Sequence, residues 1–243
     1  MFGVQGRVIA AITVRATMGR KRAFLFAIPG VVLLMVTVAL RLGHPEQASW
    51  PAAILGVFGL SVVMPLTALI IGTSVLGAEI DDGSAVHLLA TPVRRPVVIA
   101  AKYMVATALT MAFVAVPELV AGVIATGGAT RLALGVFTGA LAGSVIYNAV
   151  FIMISVVTTR AIAVGLLYAL IWEGVLGNLV PGARLLSVGQ YSLGIANSIA
   201  HDPSLNAALT LSTAVVMGAL VTAVALVIAA RRLASFSLKG EPA

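Results

Sequence analysis

Six apolar runs, each near or above the length needed to cross a bilayer, constrain this chain more than any other feature. They fall at about residues 23–41, 52–77, 99–125, 132–157, 161–180 and 207–230. A hydrocarbon core about 30 Å thick takes roughly 20 helical residues, because a helix rises about 1.5 Å per residue. Inside it every backbone N–H and C=O must be paired within the segment, so the runs predict an all-α integral membrane protein with six transmembrane helices. Only 9% of the residues are charged, against about 25% in a soluble domain. Pro65 in the second run and Pro117 in the third predict kinks there.

Basic residues set the orientation. With the N-terminus inside, 12 of the 15 Lys and Arg residues lie on the cytosolic side, and only Arg41, Arg131 and Arg184 lie outside. That asymmetry predicts a multi-pass protein of the cytoplasmic membrane with both termini cytosolic. The net charge of +7 therefore reads as a topology signal. It forms no patch of the size a nucleic acid needs. Membrane lipid is the expected surrounding. With no cysteine in the chain, disulfides, thiolate catalysis and cysteine metal sites are all excluded.

Residues 1–22 carry five basic and no acidic residues. Arg7, Arg15 and Arg22 share one helical face, which predicts an amphipathic helix in the cytoplasmic headgroup layer; a basic leader without structure is the alternative. The expected division is thus residues 1–22 as an interfacial helix and 23–243 as the membrane domain. No loop between spans is long enough to fold alone.

The most polar interior stretch is Gly77–Lys102, GAEIDDGSAVHLLATPVRRPVVIAAK, between the second and third runs. Asp82 or Ser84 can cap a helix of about two turns that Pro92 stops, and the carboxylates suit its positive end. Pro96 suits the first turn of the next helix. Val86, Leu88 and Leu89 are too few to span and lie outside the bilayer, which suggests a partner's groove.

This stretch resembles the signature of ABC-2 type transporter permeases. The residues that carry the resemblance are Glu79, Asp82, Gly83, Ser84, Leu88, Leu89, Thr91, Pro92, Arg94, Arg95 and Lys102. The family often has Glu-x-Glu-x-Gly-Thr where this chain has Glu-Ile-Asp-Asp-Gly-Ser, which keeps the charge and the hydroxyl. The resemblance implies the type V exporter-like fold, with a short cytosolic coupling helix between spans 2 and 3 that docks on a separate ATPase subunit. It also implies a second permease subunit, in a homodimer or a heterodimer, with the second and fifth spans lining the path. ATP and Mg²⁺ would be bound by the ATPase, and no cofactor by this chain.

The chain's own residues agree that it is not an ATPase. A phosphate-binding loop needs Gly-x-x-x-x-Gly-Lys-Ser/Thr, and Lys21, Lys102 and Lys239 follow Arg20, Ala101 and Leu238. Hydrolytic and metal chemistry find no footing either. His44, His87 and His201 all lie outside the runs, leaving no Ser–His pair or HExxH site within the membrane.

Two carboxylates fall within runs. Counting about 1.5 Å per residue from Lys102 and from residue 161 places Glu118 about 24 Å deep and Glu173 about 18 Å deep. Such groups must be paired, protonated or hydrated. Either they contact a substrate or cations in a hydrated path, or they bond to neighbouring helices, with Asn148, Tyr147 or Asn178 as candidate partners. Asn178 is also a path candidate. Gly135, Gly139 and Gly143 form a stripe that lets another helix approach closely. Residues 181–204, with Leu185, Val188, Ile195 and Ile199 near helical spacing, predict a short amphipathic helix on the outer surface or an ordinary long loop.

The expected function is the permease subunit of an ATP-driven exporter. The alternative is a proton-coupled carrier working without an ATPase through Glu118 and Glu173. The coupling stretch favours the first, since a proton-coupled carrier has no need of a docking element. The mix of apolar spans and few fixed charges does not name a substrate.

Overall fold

A computed structural model describes residues 4–43, 50–81, 95–128, 130–176 and 181–235, and among these every regular element is helical. Helix α1 is Val4–Thr17 and α2 is Arg20–Gly43. Helix α3 is a continuous rod formed by Trp50–Ala53, Ile54–Val63 and Met64–Asp81. Helix α4 joins Arg95–Thr110, Met111–Ala115 and Val116–Thr126. Then come α5, Arg131–Val157, and α6, which runs from Ala161–Leu167 into Tyr168–Leu176. A 3₁₀ turn, Pro181–Leu186, leads to α7, Val188–Ala200; a second, Pro203–Leu205, precedes α8, Leu211–Ser235.

Five of these helices are long and apolar enough to cross a membrane: Arg22–Gly43, Trp50–Leu76, Arg95–Thr126, Arg131–Val157 and Leu211–Ala234. The stretch expected as a fifth of six spans, 161–180, is represented by a shorter apolar helix, Ala161–Val175. Helix α5 is the axis of the bundle and packs against α3, α4, α6, α7 and α8. Within its apolar window 72% is buried, against 22% for α2 and for α8, whose outer faces present Phe24, Met35, Val216 and Leu220. Side chains of that kind on an outer face belong in lipid, so α2 and α8 form the periphery.

The two prolines act in an unexpected way. Proline lacks an N–H and its ring crowds the carbonyl four residues back. In α3 the segment before Pro65, Ile54–Val63, is widened to i→i+5 bonding, and the Met64 N–H reaches the Gly59 carbonyl. In α4 the segment before Pro117, Met111–Ala115, is widened in the same way, with the Val116 N–H on the Met111 carbonyl. Each proline is thus accommodated by adding a residue to the preceding turn. A third wide segment, Tyr168–Leu176, occurs in α6 without a proline.

Helix α7 departs from its expected place. It does not rest on a surface but inserts beside α5, burying Val188, Gly189, Gln190, Tyr191, Ser192, Leu193, Gly194 and Ala196. The contact is made by the glycine stripe. A Cβ built on Gly135 would lie 2.9 Å from the Ala200 Cβ, one on Gly139 2.6 Å from the Ser192 carbonyl, and one on Gly143 2.6 Å from the Ser192 Oγ. At its far end, Gly189 lies beside the Tyr147 hydroxyl. From Gly135 to Tyr147 is about 18 Å along α5, so α7 follows α5 over that distance. The small residues on both helices are what permit this contact.

The N-terminal segment folds as α1, then a turn at Met18–Gly19, so that Arg20, Lys21 and Arg22 begin α2. Thr13 and Thr17 are buried, while Ile12, Arg15 and Met18 are exposed. Helix α1 packs mainly on α4.

Candidate functional site

Glu173 is the hub of the best-defined polar cluster. Its carboxylate reaches from α6 to the start of α7 and accepts four hydrogen bonds. Oε1 takes the Tyr168 hydroxyl and the Val188 N–H, both at 2.8 Å. Oε2 takes the Ser187 hydroxyl and the Gly189 N–H. Ser187 is itself the N-cap of α7, accepting from the Gln190 N–H at 3.2 Å. The carboxylate therefore sits on the positive end of α7 and satisfies two of its otherwise open N–H groups. Of the partners expected for a bonded Glu173, Tyr147 lies close by, and Asn148 is engaged elsewhere, donating to Thr110 Oγ1 and to the Ser144 carbonyl. Asn178 lies outside the described residues.

Beside this cluster opens a cavity of about 790 Å³. One wall is the wide segment of α3, through Val57, Ser61 and Val62. The others come from Tyr147, Glu173, Arg184, α7 and the segment Pro203–Ala208. The widened turns of α3 and α6 thus both border this space, and π-type widening is often found at functional positions.

Glu118 stands apart from it. The side chain is fully buried, and neither carboxyl oxygen has a hydrogen-bond partner among the described residues. It is packed against Gly59 so closely that a Cβ there would collide with the carboxyl group. Gly59 lies in the wide segment of α3 but does not line the cavity, so α3 stands between Glu118 and that space. The two carboxylates that fall within apolar runs are therefore not brought together at this cavity.

At the other end of the bundle, Lys102 is fully buried and donates from Nζ to the Val75 carbonyl at 2.8 Å. This ties the first turns of α4 to the last turns of α3, where a helix's carbonyl end favours a cation. Tyr103 adds a bond from its hydroxyl to the Val145 carbonyl of α5. Glu79 lies in the last turn of α3 and Arg95 opens α4. Residues 82–94, with Asp82, Gly83, Ser84, Leu88, Leu89, Pro92 and Arg94, lie outside the described residues. Lys102 therefore anchors the two helices from which that stretch departs. Sequence reasoning gave Lys102 no role in holding α3 to α4; its position a few residues inside an apolar run was the available signal.

Among the described residues no group of three or more His, Cys, Asp or Glu side chains could hold a metal. A comparison with curated proteins finds no match. A family model described as ABC-2 family transporter protein matches residues 18–180, which includes α2 to α6 and the polar stretch between α3 and α4. With five bilayer-length helices and a match over more than half of its length, this chain belongs to the ABC-2 transporter family, as a multi-pass membrane permease.

Proposed function

We propose that the chain is the transmembrane subunit of an ATP-driven exporter that moves its cargo outward across the cytoplasmic membrane. Permeases of this family normally work with an ATPase subunit. Here residues 82–92 would be the docking element, and two permease subunits would pair with two ATPases. The observation that carries this reading is the polar stretch itself, set between the ends of α3 and α4 that Lys102 holds together. A push received there enters α3 directly, and α3 walls the cavity at its wide segment.

In the same reading residues 161–180 form a short fifth crossing of six, and α7 folds back into the bundle to close the outer end. Helix α1 lies in the cytosolic headgroup layer with Arg15 turned outward. The cavity next to Glu173 is then part of the path. The proton-coupled alternative draws less support, because Glu173 is committed to four donors and Glu118 is walled off from the cavity.

The test uses the permease co-expressed with its ATPase. A double Leu88→Asp, Leu89→Asp variant should insert normally yet lose co-purification and lose stimulation of ATP hydrolysis. Normal co-purification and stimulation would falsify the docking role.

A further inference from the structure

We infer that the 790 Å³ cavity takes an amphiphile whose polar head is an oxyanion, a carboxylate or phosphoryl group. The inference rests on reading the cavity as part of the translocation path. It comes from counting what each polar wall residue still has to offer. Glu173 would suggest a cation site, but its two oxygens already accept four bonds, about as many as a carboxylate can take. Gln190 gives its amide oxygen to the Ala208 N–H at 3.0 Å, and Asn197 gives its own to the Asp202 N–H at 2.9 Å. A backbone N–H can only donate, so those contacts fix both amides and leave their NH₂ groups available.

Tyr147 adds a third donor. It lines the cavity, is fully buried, and its hydroxyl has no hydrogen-bond partner among the described residues. A buried hydroxyl without a partner is costly to keep, and a ligand acceptor would relieve that cost. Arg184 contributes the one cationic lining side chain among the described residues. Among the other described lining side chains, the acceptors not already taking a bond are the Asn206 oxygen, whose amide nitrogen donates to Ser204, and the Ser61 oxygen, whose hydrogen goes to the Gly56 carbonyl. Val57, Val62, Leu193 and Leu205 give the apolar surface that an aliphatic body needs. Donors in excess beside an apolar wall select an acceptor-rich head on a hydrocarbon tail.

The full chain in phosphatidylcholine nanodiscs would be titrated with three fluorescent probes: dansylated undecanoic acid, its methyl ester, and a dansylated undecylamine. Empty nanodiscs supply the partition baseline. The acid should bind at least about tenfold more tightly than the amine, as expected for charge-assisted bonds to two or three donors. Tyr147→Phe, which removes only an O–H without a partner among the described residues, should weaken the acid severalfold. Gln190→Glu keeps the acceptor for Ala208 but replaces the NH₂ with an oxygen, so it should reverse the preference towards the amine. Equal or tighter binding of the amine by the unaltered protein, or no saturable binding of any probe, overturns the inference. Competition by phosphatidylglycerol in the disc would make a lipid head the source of the oxyanion. Retained binding in such discs would make it a separate cargo, and either result supports the head chemistry. No ATPase is present in the assay, so loss of ATPase docking elsewhere would sink the export reading and leave this result standing.

Discussion

Glu173 and Ser187 share the start of α7: the serine caps the helix in the ordinary way, and the carboxylate from α6 takes the next two N–H groups and the serine hydroxyl as well. A helix end that projects into the bundle has open amides that need partners from the protein. Glu173 supplies such partners from another element, and so it locks α6 to α7.

Glu173→Gln tests this lock. The amide keeps one acceptor oxygen but sets an NH₂ against either the Val188 or the Gly189 N–H, a donor facing a donor. The variant should lose about 1–3 kcal/mol, the usual cost of an unsatisfied buried group. A thermal melt in nanodiscs would show it as a clear drop in Tm. An unchanged Tm alongside altered transport would mean that Glu173 serves the path and not the lock.

The contact between Gly59 and Glu118 yields a double-mutant cycle. Gly59→Ala puts a methyl where the carboxyl now sits, and a fully buried side chain has little room to move aside. Overpacking of this kind costs about 1–3 kcal/mol. Glu118→Ala in the same chain should recover at least about 1 kcal/mol of that loss, because the obstacle is gone. Strict additivity of the two changes in Tm would refute the contact.

The glycine stripe predicts a graded cost. Gly139→Val would drive side-chain carbon into the Ser192 carbonyl of α7, which is backbone and cannot swing away. The loss should be about 1–3 kcal/mol or more, with α7 displaced. Gly182→Ala is the control, since nothing lies within 4 Å of a Cβ there. Equal stability of the two variants would mean that α7 does not pack on this stripe.

Much of the frame was legible in the sequence, since five bilayer-length helices follow from uninterrupted hydrocarbon alone. The prolines signalled a disturbance in α3 and α4 but not its form. The structure answers the missing N–H with a widened turn before each proline. The insertion of α7 was illegible from its own residues, because Gln190 and Asn197 give it the look of a surface helix. Its signal lay elsewhere, in the stripe of Gly135, Gly139 and Gly143, which needed a partner with small residues and found Ser192 and Ala196. Glu173 was singled out from its depth, but its partners were not. Ser187 is fourteen residues away across a chain reversal, a relation that periodicity cannot express. For Glu118, too, depth was readable, while the side of the helix it occupies, against Gly59 and away from the cavity, was not.

Topology gives the last prediction, and this chain suits the experiment because it contains no cysteine. The distribution of basic residues predicts the α1–α2 turn inside and the α4–α5 and α7–α8 connections outside. A single cysteine can be set at each without disturbing packing. Gly19 and Gly128 have nothing within 4 Å of a Cβ, and Ala208, which is exposed, bonds to Gln190 only through its backbone N–H. On intact cells a membrane-impermeant maleimide should label Gly128→Cys and Ala208→Cys, and it should reach Gly19→Cys only after permeabilisation. Labelling of both Gly128→Cys and Ala208→Cys from one side, with Gly19→Cys on the other, also requires an even number of crossings between the two outer sites. Helices α5, α6 and α7 lie between Gly128 and Ala208, and of these only α5 is of bilayer length. The shared side therefore tests α6 as a true crossing despite its shortness. If Ala208→Cys proved accessible only from the inside while Gly128→Cys stayed outside, α6 would not cross, and the six-span reading would fall with it.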